Sequence, residues 1–359
     1  MRKRWWMVLA AMLLLMLPAH CVEVPQELAE ALPDAAADLL EDMDYTQTDV
    51  FGGGVAAILS GAVEDVRPIL GQRLRSAVTV LLTALLCGVI GGMPGGTGSG
   101  GVDATMMAGT LTVTMMTAGS LDTLAGLGAA TIREIADFSK ALLPTLAAVT
   151  AAAGAAGTAS LHQVATVFFV DLLLGLIRGL LLPMVYLYMG VMVAGAMLSD
   201  GRLNGLAAAL KKAVTWVLST ALLVFTLYLS VVRVISGTVD SVSVKVMKTA
   251  ISGAVPVVGG ILSDAAETVL AGAGMLKATV GVFGMLAVLA ICIHPFLQLG
   301  IQYLLYKLAA FLAATTAPAA LCKLIDGLGA TFGLILGMTG ACALLLLVSI
   351  YSSVAAVTV

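Results

Sequence analysis

Charged residues inside long apolar segments are the side chains of this chain that are best placed to do chemistry. Asp122, Asp171, Arg178 and Arg233 fall within or at the ends of such segments. A charge at the centre of a membrane helix costs about 2.5–3.5 kcal/mol, so these residues usually face a bundle interior or a water-filled cavity. Alternatively, each side chain extends to the membrane surface. Asp171 and Arg178 are seven residues apart, hence on one helix face about 10 Å apart, and each needs a partner on another helix.

The histidines and cysteines show no spacing typical of catalysis or metal binding. His20, His162 and His294 stand far apart, without an H-E-x-x-H pattern, and the cysteines form no C-x-x-C pair. We interpret the cysteines as inert thiols, most of them in or beside apolar runs. No nucleophile and base are paired in the sequence. We therefore expect no cofactor, no metal and no enzymatic activity. The cysteines are Cys21, Cys87, Cys292, Cys322 and Cys342.

A second polar feature interrupts the apolar sequence in the string KTAISGAVPVVGGILSDAAETVL. Pro256 disfavours helix at the residue before it, and Gly259-Gly260 permits a bend or a close backbone approach. Ser263 or Asp264 then suits an N-cap, with Glu267 placed like the acid of a capping box. The string predicts a helix, a break and a new helix. Such a break either lines a path or packs on partners at membrane depth, or it is an extramembrane helix-turn-helix.

The composition indicates which elements position these residues. Hydrophobic residues make up 60% of the 359 residues, charged residues only 11%, and the mean hydropathy is +1.07. Soluble domains are roughly 45–50% apolar and about 25% charged. The sequence therefore predicts an all-α, polytopic membrane protein with seven to nine spans. The long uncharged runs are Ser76–Val102, Ala104–Leu121, Ala141–Val170, Gly179–Ser199, Ala213–Val232, Ala278–Tyr306, Leu308–Cys322 and Gly327–Val359.

The amino-terminal part predicts two further units before the membrane domain. Residues 1–21 have a basic start, an apolar stretch and a helix-breaking Pro18, which is typical of a cleavable signal peptide; a retained short anchor is the alternative. Residues 22–75 form an acidic extracytoplasmic segment that we expect to be helical, and residues 76–359 form the membrane domain. Nothing in the chain resembles a basic nucleic-acid-binding surface.

Two patterns flank the first span. Apolar residues recur at helical spacing from Val55 to Val66, which predicts an amphipathic helix that Pro68 ends or kinks. This helix lies on the membrane surface or packs on the bundle. The glycine-rich stretch 91–101 predicts a flexible loop and lacks the Gly-Lys-Ser/Thr of a phosphate-binding loop.

The distribution of charge predicts an orientation. A cleaved signal leaves the acidic segment outside the cytoplasm. Counting five spans onward then places Arg202, Lys211 and Lys212 on the cytoplasmic face, as the positive-inside rule requires. Arg67, Arg73 and Arg75 before the first span argue for the opposite orientation.

The carboxyl-terminal half resembles a known family. The strings LKKAVTWVLSTALLVFTLYLSV, KTAISGAVPVVGGILSDAAETVL, LKATVGVFG and YKLAA are similar to the membrane region of the stage III sporulation protein AE family, from about Leu181 onward. The resemblance implies a subunit of a multi-protein channel or export complex that links mother cell and forespore and is needed for late forespore development. It also implies a location in the mother-cell membrane around the forespore, with other subunits of the complex as partners.

A stand-alone transporter or permease of a small solute is the alternative function. Such proteins often carry internal repeats with paired broken helices. This sequence has one convincing break, at Pro256, and no second half that repeats it.

Overall fold

The computed structural model describes an all-α chain. Its described residues are 25–40, 50–91, 104–154, 156–198, 201–254 and 259–355, with side chains described for 25–40, 51–90, 105–154, 164–197, 203–231 and 271–354. These residues contain no β-strand. The predicted signal peptide and most of the glycine-rich loop lie outside them. Two short helices come first, α1 (Gln26–Glu30) and α2 (Asp34–Ala37).

Longer helices follow and provide six candidate membrane spans in the described residues, judged by length and composition alone. The helices α5 and α6 are joined by a π-helical turn, Ile177–Leu181, and together supply one span. The long helices are α3 (Val50–Gly91), α4 (Ala104–Ala152), α5 (Ala156–Leu176), α6 (Leu182–Leu198), α7 (Gly201–Ala254), α8 (Gly259–Ala313) and α9 (Ala319–Ala355).

The antiparallel hairpin of α8 and α9 forms the centre of the bundle. Gly329 and Gly333 of α9 face Tyr306 and Tyr303 of α8, and the missing side chains let the two backbones approach closely. Tyr306 is fully buried and stacks edge-on against Phe332 at 5.3 Å between ring centroids. Small residues opposite aromatic rings therefore hold the central pair together.

The other helices surround this hairpin and give the bundle two distinct ends. Gly88 near the end of α3 lies against Thr316 in the α8–α9 loop, and Met192 of α6 lies against Gly327 of α9. We call this the lysine end, because Lys211, Lys307 and Lys323 line one cavity there. The opposite end we call the acidic end.

At the acidic end, residues 25–40 of the acidic amino-terminal segment pack on the bundle. Leu28, Ala36 and Leu40 of that segment are buried, and α1 and α2 contact α4 and α8. Leu39 lies against Gly61 of α3, about 40 Å along that helix from Gly88. The acidic segment and the lysines therefore lie at opposite ends of the bundle.

The predicted amphipathic helix is part of α3, and it packs on protein. Ile58 and Ala62 are buried, whereas Leu59 and Val63 are exposed. Pro68 lies inside the continuous helix, so the prediction that it could end the helix is wrong. Proline removes one backbone hydrogen bond, and the apolar packing of α3 on α8 compensates for that loss.

The described residues contain six candidate spans, against the seven to nine that we expected for the whole chain, and Lys307 accounts for part of the difference. We separated spans at charges, yet α8 continues through Lys307 to Ala313, because this lysine pairs with Asp326 of α9 at 2.5 Å. The uncharged run Leu308–Cys322 is accordingly the end of one helix, a loop and the start of the next.

Two local devices set the path from α4 to α6. Gly154 has φ of 95° and follows the end of α4, so a left-handed residue reverses the chain into α5. The π-helical turn ends two residues before Pro183. Proline cannot donate a hydrogen bond and its ring clashes with the carbonyl four residues earlier, and the wider turn accommodates this.

Replacing Gly88 with alanine tests the close contact at the lysine end. A Cβ at Gly88 would overlap the backbone of Thr316, so the change should destabilise the protein by about 1–3 kcal/mol. The measurement is the unfolding temperature of the purified protein in detergent.

The control is Gly71→Ala, on the same helix, where an added Cβ meets no atom within 4 Å. Alanine favours helix over glycine by about 1 kcal/mol, so this variant should be unchanged or slightly more stable. Equal unfolding temperatures for the two variants would contradict the contact.

Candidate functional site

Seven charged side chains are exposed within two candidate spans. They lie on α4, α5 and the π-helical turn, within the spans Thr105–Ala152 and Val164–Met197. We call this set the charged strip. Its members are Asp122, Arg133, Glu134, Asp137, Lys140, Asp171 and Arg178, four carboxylates and three cations.

The periodicity of α4 produces the strip. Leu124, Ile135, Phe138 and Leu142 are buried in the core, at helical spacing. The opposite face carries the charges, and between residues 119 and 148 it exposes no large hydrophobic side chain. A face without large apolar groups is poorly suited to contact with lipid acyl chains.

Side chains from different helices interact electrostatically within the strip. Lys140 pairs with Asp137 at 2.7 Å on α4 and also interacts electrostatically with Asp171 and Arg178. Asp122 of α4 interacts in the same way with Tyr186 of α6. The structure therefore places Lys140 of α4 near Asp171, which attracts it, and near Arg178, which repels it. Lys140 is a partner of opposite charge for Asp171 but not for Arg178, and Asp122 lies about 27 Å away from Lys140 along α4.

Apolar groups lie beside the strip at the same depth. Leu172 follows Asp171 and is 51% exposed, and Leu180 lies two residues beyond Arg178 and is 46% exposed. Lipid therefore suits the neighbouring surface of α5. The strip itself needs water or another protein for solvation, since an exposed charge within hydrocarbon is costly.

Arg178 occupies a further unusual position, because it lies in the π-helical turn. Single π-helical turns inside α-helices are rare and occur frequently at functional sites. Arg178 thus combines exposure, charge and irregular backbone within a candidate span.

Other residues predicted from the sequence lie where side chains are not described. Arg233 is in α7, and Pro256 falls between α7 and α8, outside the described residues. Helix α8 begins at Gly259. Ser263 and Asp264 are therefore inside this helix, so the prediction of an N-cap there is wrong: the new helix starts directly at the glycine pair.

The length of α7 bears on the depth of this break. Lys212 and Arg233 are 21 residues apart, about 32 Å along a helix, which matches the hydrocarbon thickness of about 30 Å. The helix continues to Ala254. Ala254, the last residue of α7, thus lies about 32 Å along the helix beyond Arg233, a length that favours the extramembrane interpretation of the predicted break.

Sequence reasoning missed a polar seam between α3 and α8. The Arg73 Nη2 donates to the Gln298 Oε1 at 2.8 Å, and Gln298 contacts the His294 ring at 2.6 Å. His294 lies 3.7 Å from Asp65. The seam extends to Tyr306, 3.0 Å from Thr117 of α4. The signal in the sequence is the recurrence of polar residues every four positions on α8, at His294, Gln298, Gln302 and Tyr306.

Two buried polar groups near this core have no hydrogen-bond partner among the described side chains. Lys277 on α8 is 2% exposed, and both amide atoms of Gln302 are buried. No group of three histidine, cysteine, aspartate or glutamate residues in the described part of the chain is placed to hold a metal ion.

The fold defines an all-α, polytopic membrane protein, and the strip places exposed charges along two of its candidate spans. Within that class, the family model for stage III sporulation protein AE (spore_III_AE) matches residues 51–357. The chain belongs to this family of sporulation proteins, which confirms the resemblance and extends it towards the amino terminus.

A curated relative supports this assignment over part of the chain. Stage III sporulation protein AE of Bacillus subtilis (strain 168) is 26% identical over 179 residues, which cover 50% of this chain and 45% of the relative. The match thus spans just under half of the relative's length. No solved structure matches the chain.

Cysteine reactivity tests whether water reaches the strip when the protein is alone in a bilayer. With the native cysteines replaced, Asp137→Cys and Arg178→Cys should react with a charged maleimide roughly tenfold or more faster than Leu172→Cys and Leu180→Cys, because the reactive thiolate forms in water. The measurement is the labelling rate of purified protein in lipid nanodiscs. Equal rates for the two pairs would show that the strip faces lipid.

Proposed function

We propose that this protein is a membrane subunit of a channel or export complex that links mother cell and forespore and supports late forespore development. Family membership supports the sporulation role. In this proposal the chain resides in the mother-cell membrane around the forespore, binds other subunits of the complex, and has no chemistry or cofactor of its own.

The charged strip is the observation that carries the proposal. Its seven charges are exposed inside candidate spans, beside lipid-compatible leucines. Intramembrane charges of this kind are solvated by other protein or by a water-filled path. A subunit of a multi-protein conduit meets this requirement, because its strip is covered by a neighbouring subunit or lines the conduit.

The two ends of the bundle support an orientation for the subunit. Lysines concentrate at one end, and the acidic segment packs towards the other. We place the lysine end in the cytoplasm, following the positive-inside rule. The acidic end then faces the space between the two membranes, where partner subunits can dock. Three candidate spans lie between the acidic segment and Lys211, where the sequence analysis counted five. Because both numbers are odd, both place Lys211 on the opposite side of the membrane from the acidic segment.

Spore formation tests the role of the strip. In the sporulating host, Asp171→Ala with Arg178→Ala should lower the yield of heat-resistant spores at least roughly tenfold, because truncating charges paired across an interface costs about 2–5 kcal/mol. The matched control is Leu172→Ala with Leu180→Ala at the same depth. A normal spore yield from the charge variant, at normal protein levels, would overturn the proposal.

The predicted break supplies a second test, in which the element around Pro256, Gly259 and Gly260 contacts partners. Asp264→Ala with Glu267→Ala should reduce site-specific crosslinking of this element to other proteins in sporulating cells, together with the spore yield. Normal spores from this variant would remove these carboxylates from the proposal. Solute uptake by the purified protein alone in liposomes would instead favour the stand-alone transporter.

A further inference from the structure

A cavity at the lysine end is separate from the charged strip. It lies where the start of α7, the end of α6 and the α8–α9 hairpin meet, and its volume is about 550 Å³. Ligand pockets commonly measure about 300–1,000 Å³. The cavity is therefore large enough for a small polar head group.

The cavity is lined with an excess of positive charge. Lys211, Lys307 and Lys323 line it together with one carboxylate, Asp326. The Lys307 Nζ donates a hydrogen bond to Asp326 at 2.5 Å, so these two charges compensate each other. Lys211 and Lys323 form no ion pair within the described part of the chain. Two lysines are thus available to an anion.

The remaining lining is apolar and continues onto the outer surface of the bundle. Met192 and Phe311 line the cavity, and Phe311 is 75% exposed. Leu308, one turn earlier on α8, is 53% exposed. A ligand with both a negative group and an acyl chain fits this combination better than a free anion, which gains nothing from the apolar wall.

Trp216 indicates the depth of the cavity relative to a bilayer. It is 66% exposed on α7 and lies five residues after Lys211, about 8 Å along the helix. Exposed tryptophan is enriched at the membrane–water interface. Lys211 then lies at the level of the lipid head groups, where basic pockets between membrane helices bind anionic lipids.

We propose that this cavity binds the phosphate of an anionic phospholipid head group. Lys211 and Lys323 contact the phosphate, and Asp326 holds Lys307 at the rim of the cavity. Phe311 and Met192 contact the upper part of an acyl chain. The site is a lipid-recognition site at one end of the bundle, and it does not depend on the function proposed for the charged strip.

Native mass spectrometry of the full-length protein in detergent tests the proposal. Phosphatidylglycerol should bind more tightly than phosphatidylcholine, and Lys211→Gln with Lys323→Gln should weaken phosphatidylglycerol binding roughly tenfold, because each basic residue contributes several-fold to binding of anionic lipid. Arginine at both positions should retain binding. If the double glutamine variant does not purify as a folded protein, the two single variants provide the same comparison.

The matched control is Lys212→Gln, which removes the same charge from the next position of α7 but not from the cavity lining. It should change binding less than about threefold, since it alters only the longer-range field. An equal loss in this control overturns the site, as does equal retention of the two lipids. Lysine-dependent binding of inorganic phosphate without selective retention of phosphatidylglycerol overturns the lipid assignment.

Discussion

A charge inside hydrocarbon must be solvated, and this constraint organises the whole structure. At the lysine end, Lys307 pairs with Asp326, and α8 continues past this pair to Ala313. Arg73 meets the constraint through Gln298 in the seam between α3 and α8. The charged strip meets it only in part, because its one close ion pair among the described residues joins Lys140 to Asp137 on the same helix. The strip is therefore a surface that needs water or a protein partner, and in this it differs from the neighbouring apolar surface, which suits contact with lipid.

The fold class and the positions of the key charges follow from the sequence because both depend on residue type along one helix. Asp122, Asp171 and Arg178 are recognisable as unusual wherever their helices lie, since few charges occur in this composition. The structure adds that Asp171 and Arg178 lie near Lys140 of α4. That proximity depends on how α4 packs against α5 and α6, and no spacing within a single segment encodes it.

Span boundaries and the polar seam were less predictable for a related reason. A proline or a charge destabilises an isolated membrane helix, yet Pro68 lies within a helix because neighbouring helices compensate. The seam from Asp65 to Gln298 consists of residues that are individually ordinary and become a unit only when α3 and α8 run parallel. The cavity at the lysine end likewise combines four separate segments. The span boundaries, the seam and the cavity therefore depend on interactions between distant segments, which sequence patterns within one segment do not encode.

The lengths of α7 and α8 determine how far from the bilayer this subunit reaches. They contain 54 and 55 residues, about 80 Å each when straight, against a hydrocarbon layer of about 30 Å. In the proposed orientation the surplus projects into the gap between the two membranes. The end of α7 and the start of α8 are then held away from the bilayer at a distance that helix length fixes. A partner anchored in the opposite membrane can dock there without an extended linker in either protein.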